Sequence, residues 1–212
     1  MTLEQTPVTA RTDVRRPAAA TLPATPTRPP ARPYFKRGML LSTGALAWAA
    51  GMVVIGSDPS GGTEEAVFST VSGLFQIGLL GLLTVLWQSQ ALGEGRLARF
   101  FLRLEAGVLL LAIASTFVDG IGVSDLDKTG WLLLDLCWPL SMLGMFLIGI
   151  RIAVAGRWRG LSRWWPMVAE SWAIVSVPAY GAFGSTVAGY VGAAHLCVGY
   201  AVLGQIVARK ER

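Results

Sequence analysis

Glu105, Thr116, Asp119, Asp135, Ser141, Glu170 and His195 are the side chains whose chemistry goes beyond packing. Each falls within or at the edge of a long apolar stretch. A charge near the centre of a membrane helix costs about 2.5–3.5 kcal/mol on insertion scales, so residues kept there are site candidates. The chemistry they suit is the handling of protons and small cations. On a helix turning about 100° per residue, Glu105, Ala112, Thr116 and Asp119 fall within roughly 40° of one line. The stripe runs about 21 Å, with a charge near each end and a small, weakly polar middle. Such a face turns away from lipid, either as a polar path or as a packing seam. Asp135 has Pro139 four residues on, and proline has no N–H to give the carbonyl of Asp135. A carboxylate and a freed backbone oxygen therefore come together, which suits a proton, a small cation or a plain structural kink.

Glu170 lies roughly two turns in from Trp164 and Trp165, at a depth like that of Glu105. Arg103 and Arg151 are long enough to reach down, and a pair between Arg151 and either glutamate is the cheapest way to bury these charges. His195 is the sole histidine. It shares a helix face with Ala188, Gly192 and Gly199, small residues that invite a close neighbour and turn the imidazole into the protein. With a normal pKa near 6.5 it suits a proton relay or a structural hydrogen bond. Its expected partner is Asp135 or Ser141, with the fourth and sixth spans packed together and Thr116 near the same depth.

Six apolar segments must position these groups: 38–56, 66–90, 100–120, 131–155, 164–183 and 186–208. Each approaches or exceeds the ~20 residues that cross a hydrocarbon core as a helix. The connections alternate in sign. The N-terminal tail, Arg96 with Arg99, the Arg157–Arg163 loop and the 209–212 end are basic. The loops with Asp58, Glu64 and Glu65 and with Asp119, Asp125 and Asp127 are acidic. Positive charge on short loops marks the cytoplasmic side, so the pattern predicts six spans in one all-α bundle with both termini cytoplasmic. The basic loop after the fourth span is edged by Trp158, Trp164 and Trp165, read as interfacial aromatics. Cys137 and Cys197 lie inside apolar spans without metal-ligand spacing, so they read as packing residues.

Residues 1–37 hold seven prolines and seven basic residues and should be disordered, unable to offset their ordering entropy by burial. Of the whole chain, 53% is hydrophobic and only 15% charged, too apolar for an ordinary soluble domain. The net charge of +5 follows from topology and does not require nucleic acid. Arginine outnumbers lysine 15 to 3 and asparagine is absent, which suggests a GC-rich bacterial genome and the cytoplasmic membrane of a bacterium.

Six spans with both ends inside, Ser141 in the fourth and His195 in the glycine-rich GAAHLCVGYAVLG segment of the sixth resemble the rhomboid intramembrane proteases. That resemblance implies a Ser141–His195 catalytic pair. The family carries its serine in Gly-x-Ser-Gly, whereas this chain reads Pro139, Leu140, Ser141, Met142, and the second span offers Gln76 rather than a histidine. Without that oxyanion stabilisation the largest catalytic term is missing. No nucleotide-binding loop, zinc motif or haem-ligand pair appears, so no cofactor is expected. Two readings remain. One is a small permease or proton-linked carrier; the other is a non-catalytic membrane subunit or anchor, partnered by other subunits or by copies of itself. A carrier needs its polar groups to converge on a cavity, whereas a subunit can pair them off and leave an apolar groove.

Overall fold

A computed structural model of the chain describes residues 32–125 and 127–211. Most of the tail expected over 1–37 lies outside the described residues, as does Arg212. Among the described residues every regular element is a helix. Five helical runs are long and apolar enough to cross a membrane: Phe35–Val54, Thr63–Gln88, Arg96–Gly120, Thr129–Ala155 and Leu161–Ala208. The first three are α1, α2 and α3. The fourth divides at Leu136 into α4 (Thr129–Asp135) and α5 (Cys137–Ala155). That break falls one turn before Pro139, where the helix loses a backbone donor.

The last run is 48 residues long where two spans were expected. It consists of α6 (Leu161–Glu170), α7 (Trp172–His195), a π-helical turn (Leu196–Ala201) and α8 (Val202–Ala208). Within α7, Gly184 has φ 80° and ψ 177°, a backbone that a residue with a β-carbon adopts only under strain. There the chain doubles back. Trp172 Nε1 donates to the Gly192 carbonyl at 3.1 Å, and Trp165 Nε1 to the Gly199 carbonyl at 3.0 Å. The two arms on either side of Gly184 therefore lie against each other.

Small residues decide which helices meet. A β-carbon on Gly44 would stand 2.7 Å from Phe75 Cα, and one on Gly78 would stand 2.8 Å from Leu41 Cα, so α1 and α2 are in backbone contact. A β-carbon on Gly38 would collide with Ala208 N and the Gly204 carbonyl, which seats α8 on the other side of α1. Such small-residue seams supply the dispersion contacts that hold helices together where apolar burial has no driving force. The expected packing of the fourth span on the sixth is overturned here. α5 packs on α3 and α6, touches α7 only slightly, and does not reach the π-helical turn or α8. Other helices take its place: Gly204 lies against Gly38 and Ser42 of α1, and Gly199 against Ala169 of α6. Ser42 Oγ donates to the Ala201 carbonyl at 2.7 Å, using an acceptor of the π-helical turn.

The core is aromatic at its centre. Trp48 stacks on Phe75 with centroids 5.1 Å apart and meets Trp138 and Trp172 at 5.7 and 5.4 Å; Tyr200 sets its edge to Phe75 at 4.8 Å. The outside carries large apolar side chains, among them Leu97, Phe100, Leu111, Phe117, Leu147 and Phe183. An apolar exterior around satisfied helical backbone suits lipid as the solvent. Of the three tryptophans read as interfacial, Trp158 is in fact buried. Its Nε1 donates to Ser89 Oγ at 3.2 Å, and Lys210 Nζ lies 4.7 Å from the ring centroid as a cation–π lid. Trp164 is exposed, with the Arg163 guanidinium 4.8 Å over its ring.

Candidate functional site

At the end of the molecule bearing the two acidic loops, α1 to α5 line an open cavity of about 270 Å³. Its polar lining comes from two helix faces. On α2, Glu65, Ser69, Ser72 and Gln76 are spaced four, three and four apart, so they share one line. α2 begins at Thr63, which puts Glu65 in its first turn, where a carboxylate favours the helix dipole. On α3, Ser115, Thr116 and Asp119 face the same space, and Asp135 closes it from the last residue of α4. Trp48, Phe68 and Trp138 supply the apolar wall.

The floor of this cavity has a defined orientation. Gln76 is 1% exposed, and its Nε2 donates to Thr116 Oγ1 at 2.8 Å. Thr116 passes its single hydroxyl proton to the Ala112 carbonyl at 3.1 Å. One N–H of the glutamine is thus used, and its Oε1 is buried with no hydrogen-bond partner among the described residues. The indole nitrogen of Trp48 is likewise buried and without a partner. The ion pairs among the described residues are Lys128–Asp125 at 3.0 Å and Arg157–Glu94 at 2.6 Å, and neither involves Glu65, Asp119 or Asp135. No group of three or more His, Cys, Asp or Glu among the described residues is placed to hold a metal ion. The cavity lining thus combines three carboxylates with the hydroxyls of Ser69, Ser115 and Ser124 and the Gln76 amide.

Deeper among the helices the carboxylates are treated differently. Glu105, on α3, is 5% exposed and accepts from Ser141 Oγ of α5 at 2.6 Å. Its other oxygen presses on Gly144, where a β-carbon would overlap it. Glu170, at the end of α6, is 2% exposed and accepts from the Tyr200 hydroxyl at 2.7 Å, leaving Oε1 without a partner among the described residues. One residue further on, Ser171 Oγ donates to the Val168 carbonyl at 2.7 Å and lies 3.2 Å from His195 Nε2. With the serine proton already committed, Nε2 is the nitrogen that carries a proton, and Nδ1 is buried without a partner among the described residues.

The expected pairing of Arg151 with Glu105 or Glu170 is not formed. Arg151 is exposed at the rim of a groove of about 630 Å³ between α3 and α5, and Arg103 lies 5.1 Å over the Trp87 ring. Both arginines extend away from the core, as long cationic side chains do when a wet surface is within reach, and short hydroxyls serve the glutamates instead. Of the sequence candidates, Thr116, Asp119 and Asp135 meet in one cavity, and Glu105 meets Ser141 in another place. Glu170 and His195 come together only through neighbours in chain, with Tyr200 and Ser171 as their partners. His195 faces neither Asp135 nor Ser141, so the catalytic pair implied by the rhomboid resemblance is absent. Comparison with protein-family models, with curated proteins and with solved structures finds nothing that matches this chain.

Proposed function

We propose that the protein is a small proton-linked carrier of the bacterial cytoplasmic membrane, crossing it six times with both termini inside. The observation that carries this reading is the convergence of Glu65, Asp119 and Asp135 with Gln76 and Thr116 on one cavity. The cavity opens among the acidic loops, which the positive-inside rule assigns to the outer face. Glu105 and Glu170 lie further in, each held by one hydroxyl through one oxygen. The second oxygen of each is left to take up or release a proton as the bundle moves. The doubling back at Gly184 supports six crossings, since a 48-residue helix spans about 72 Å, more than twice a ~30 Å hydrocarbon core. Reporter fusions test the topology: residues 59–63 and 122–128 should read outside and 156–162 inside, and a cytoplasmic signal from the Asp125 loop sinks it. For the activity, protein in liposomes holding a pH-sensitive dye should move protons when a substrate gradient is imposed, and Asp119→Asn should abolish the movement. An equal proton flux in Asp119→Asn overturns the carrier reading.

The groove between α3 and α5 favours a second reading, as a membrane subunit or homo-oligomer. Phe101, Leu104, Val108, Leu143 and Leu147 line it, and Glu105 at its side is held by Ser141 through one oxygen. An apolar groove on a lipid-facing surface suits a partner helix. Cysteines placed at Leu104 and Leu147 should crosslink to a neighbour in native membranes under this reading and remain monomeric under the first.

A further inference from the structure

Arg151 stands at one mouth of the groove between α3 and α5, beside the loop at 89–95. A β-carbon on Gly93 would lie 4.0 Å from Arg151 Nη2, so the guanidinium covers that loop. Arg151 is exposed, and the ion pairs among the described residues do not include it. The acid at the same mouth, Glu94, is taken by Arg157 at 2.6 Å. The other acid of the lining, Glu105, lies nine residues along α3 from Arg96, about 13 Å further in. α3 also starts at this mouth with no side chain capping its first turn, so its amino end adds partial positive charge. The mouth therefore calls for an anion.

Away from the mouth the groove is apolar, with Leu104, Leu143 and Leu147 exposed along it. Its lining runs from Leu97 to Val108 on α3 and from Leu140 to Arg151 on α5, about 16 Å on each side at 1.5 Å per residue. That is about half of a ~30 Å hydrocarbon core, the depth of one leaflet. A volume of about 630 Å³ over that length makes a slot about 6–7 Å across, narrower than a helix with its side chains at about 10–12 Å. The width speaks against a partner helix as the occupant and suits a hydrocarbon chain. The positive-inside rule assigns the loop at 157–163, and Arg151 with it, to the cytoplasmic interface. An anion joined to a narrow chain one leaflet long is what the inner leaflet supplies there.

We infer that the groove holds one phospholipid of net negative charge, its phosphate on Arg151 and one acyl chain along the slot. A zwitterionic lipid is the poorer match, because its ammonium would find Glu94 already paired. The site stands whichever activity the acidic cavity has.

The test uses the full chain in an uncharged detergent, with retained lipid read by native mass spectrometry. Phosphatidylglycerol and phosphatidylcholine with the same acyl chains are offered at equal concentration. Phosphatidylglycerol should be retained about tenfold better, as one charged hydrogen bond implies. Arg151→Gln should abolish that preference, and Arg209→Gln, outside the groove, should keep it. Leu143→Trp fills the slot from an exposed position and should lose both lipids; it serves where Arg151→Gln fails to elute as folded protein. Glycerol phosphate, a head without a chain, should leave the lipid in place. Equal retention of the two lipids, or an Arg151→Gln variant that still prefers phosphatidylglycerol, overturns the inference, as does a Leu143→Trp variant that retains both as the parent does. Displacement by glycerol phosphate overturns it in favour of a free phosphate, and a dimer mass without lipid gives the groove to a second copy of the chain.

Discussion

Glu105 and Glu170 sit among the same helices as Asp119 and Asp135, yet the protein treats the two sets in opposite ways. The inner glutamates are buried, and each receives one hydroxyl from another helix within 2.7 Å. The cavity aspartates are half-buried and share their space with Glu65 and an unpartnered glutamine oxygen. A deeply buried acceptor that lost its donor would cost about 1–3 kcal/mol, so the fold must supply that donor itself. At the cavity the solvent, or a guest, can supply it. The inner pairs are therefore part of what holds the helices in register, and the cavity carboxylates are free to serve something outside the chain.

The contrast breaks first at the inner pairs. Gly144→Ala puts a β-carbon where Glu105 Oε2 lies, so the carboxylate must leave Ser141 or α5 must withdraw from α3. The expected loss is about 3 kcal/mol, overpacking and a broken buried hydrogen bond together, read as unfolding in mixed micelles. Tyr200→Phe comes next. It keeps the ring against Phe75 and removes only the donor to Glu170, with an expected loss of about 2 kcal/mol. A Tyr200→Phe variant as stable as the parent would show that Glu170 has another source of protons, and the two sets of carboxylates would then differ only in depth.

Much of this frame is legible in the sequence, for physical reasons that are specific. The apolar runs appear because lipid tolerates few interruptions, and the change of direction appears as Gly184–Ser185 between two such runs. The α3 stripe is visible because one helix carries all of it. The partners of its residues are not, since Ser141 reaches Glu105 across 36 positions and Tyr200 reaches Glu170 across 30. Nothing local marks a hydroxyl that will face a carboxylate on another helix. The α2 face was present as a four-three-four spacing, but Glu65 reads as a loop charge until α2 is seen to start at Thr63. Trp158 misleads in the same way. Flanked by Arg157 and Arg159 it has the pattern of an interfacial ring, and only Lys210, 52 positions on, shows that it is covered.

The smallest effect expected is also the one that separates the two regions most sharply. Asp119→Asn and Asp135→Asn remove a charge and keep the shape. Asp119 lies in the last turn of α3 and Asp135 ends α4, so neither substitution opens a gap in the core. The hydrogen bonds among the described residues include none to either carboxylate, and removing one charge relieves the crowding of three around a single cavity. Each variant should unfold within about 0.5 kcal/mol of the parent, on either side of it. Against the losses at Gly144 and Tyr200, that near-neutrality is the signature of carboxylates that the fold does not use. Unfolding midpoints of the single and double Asn variants in one detergent decide it. A loss above about 1 kcal/mol in either single variant means that the aspartate holds a structural partner. A double variant more stable than both singles means that like-charge repulsion is stored around the cavity.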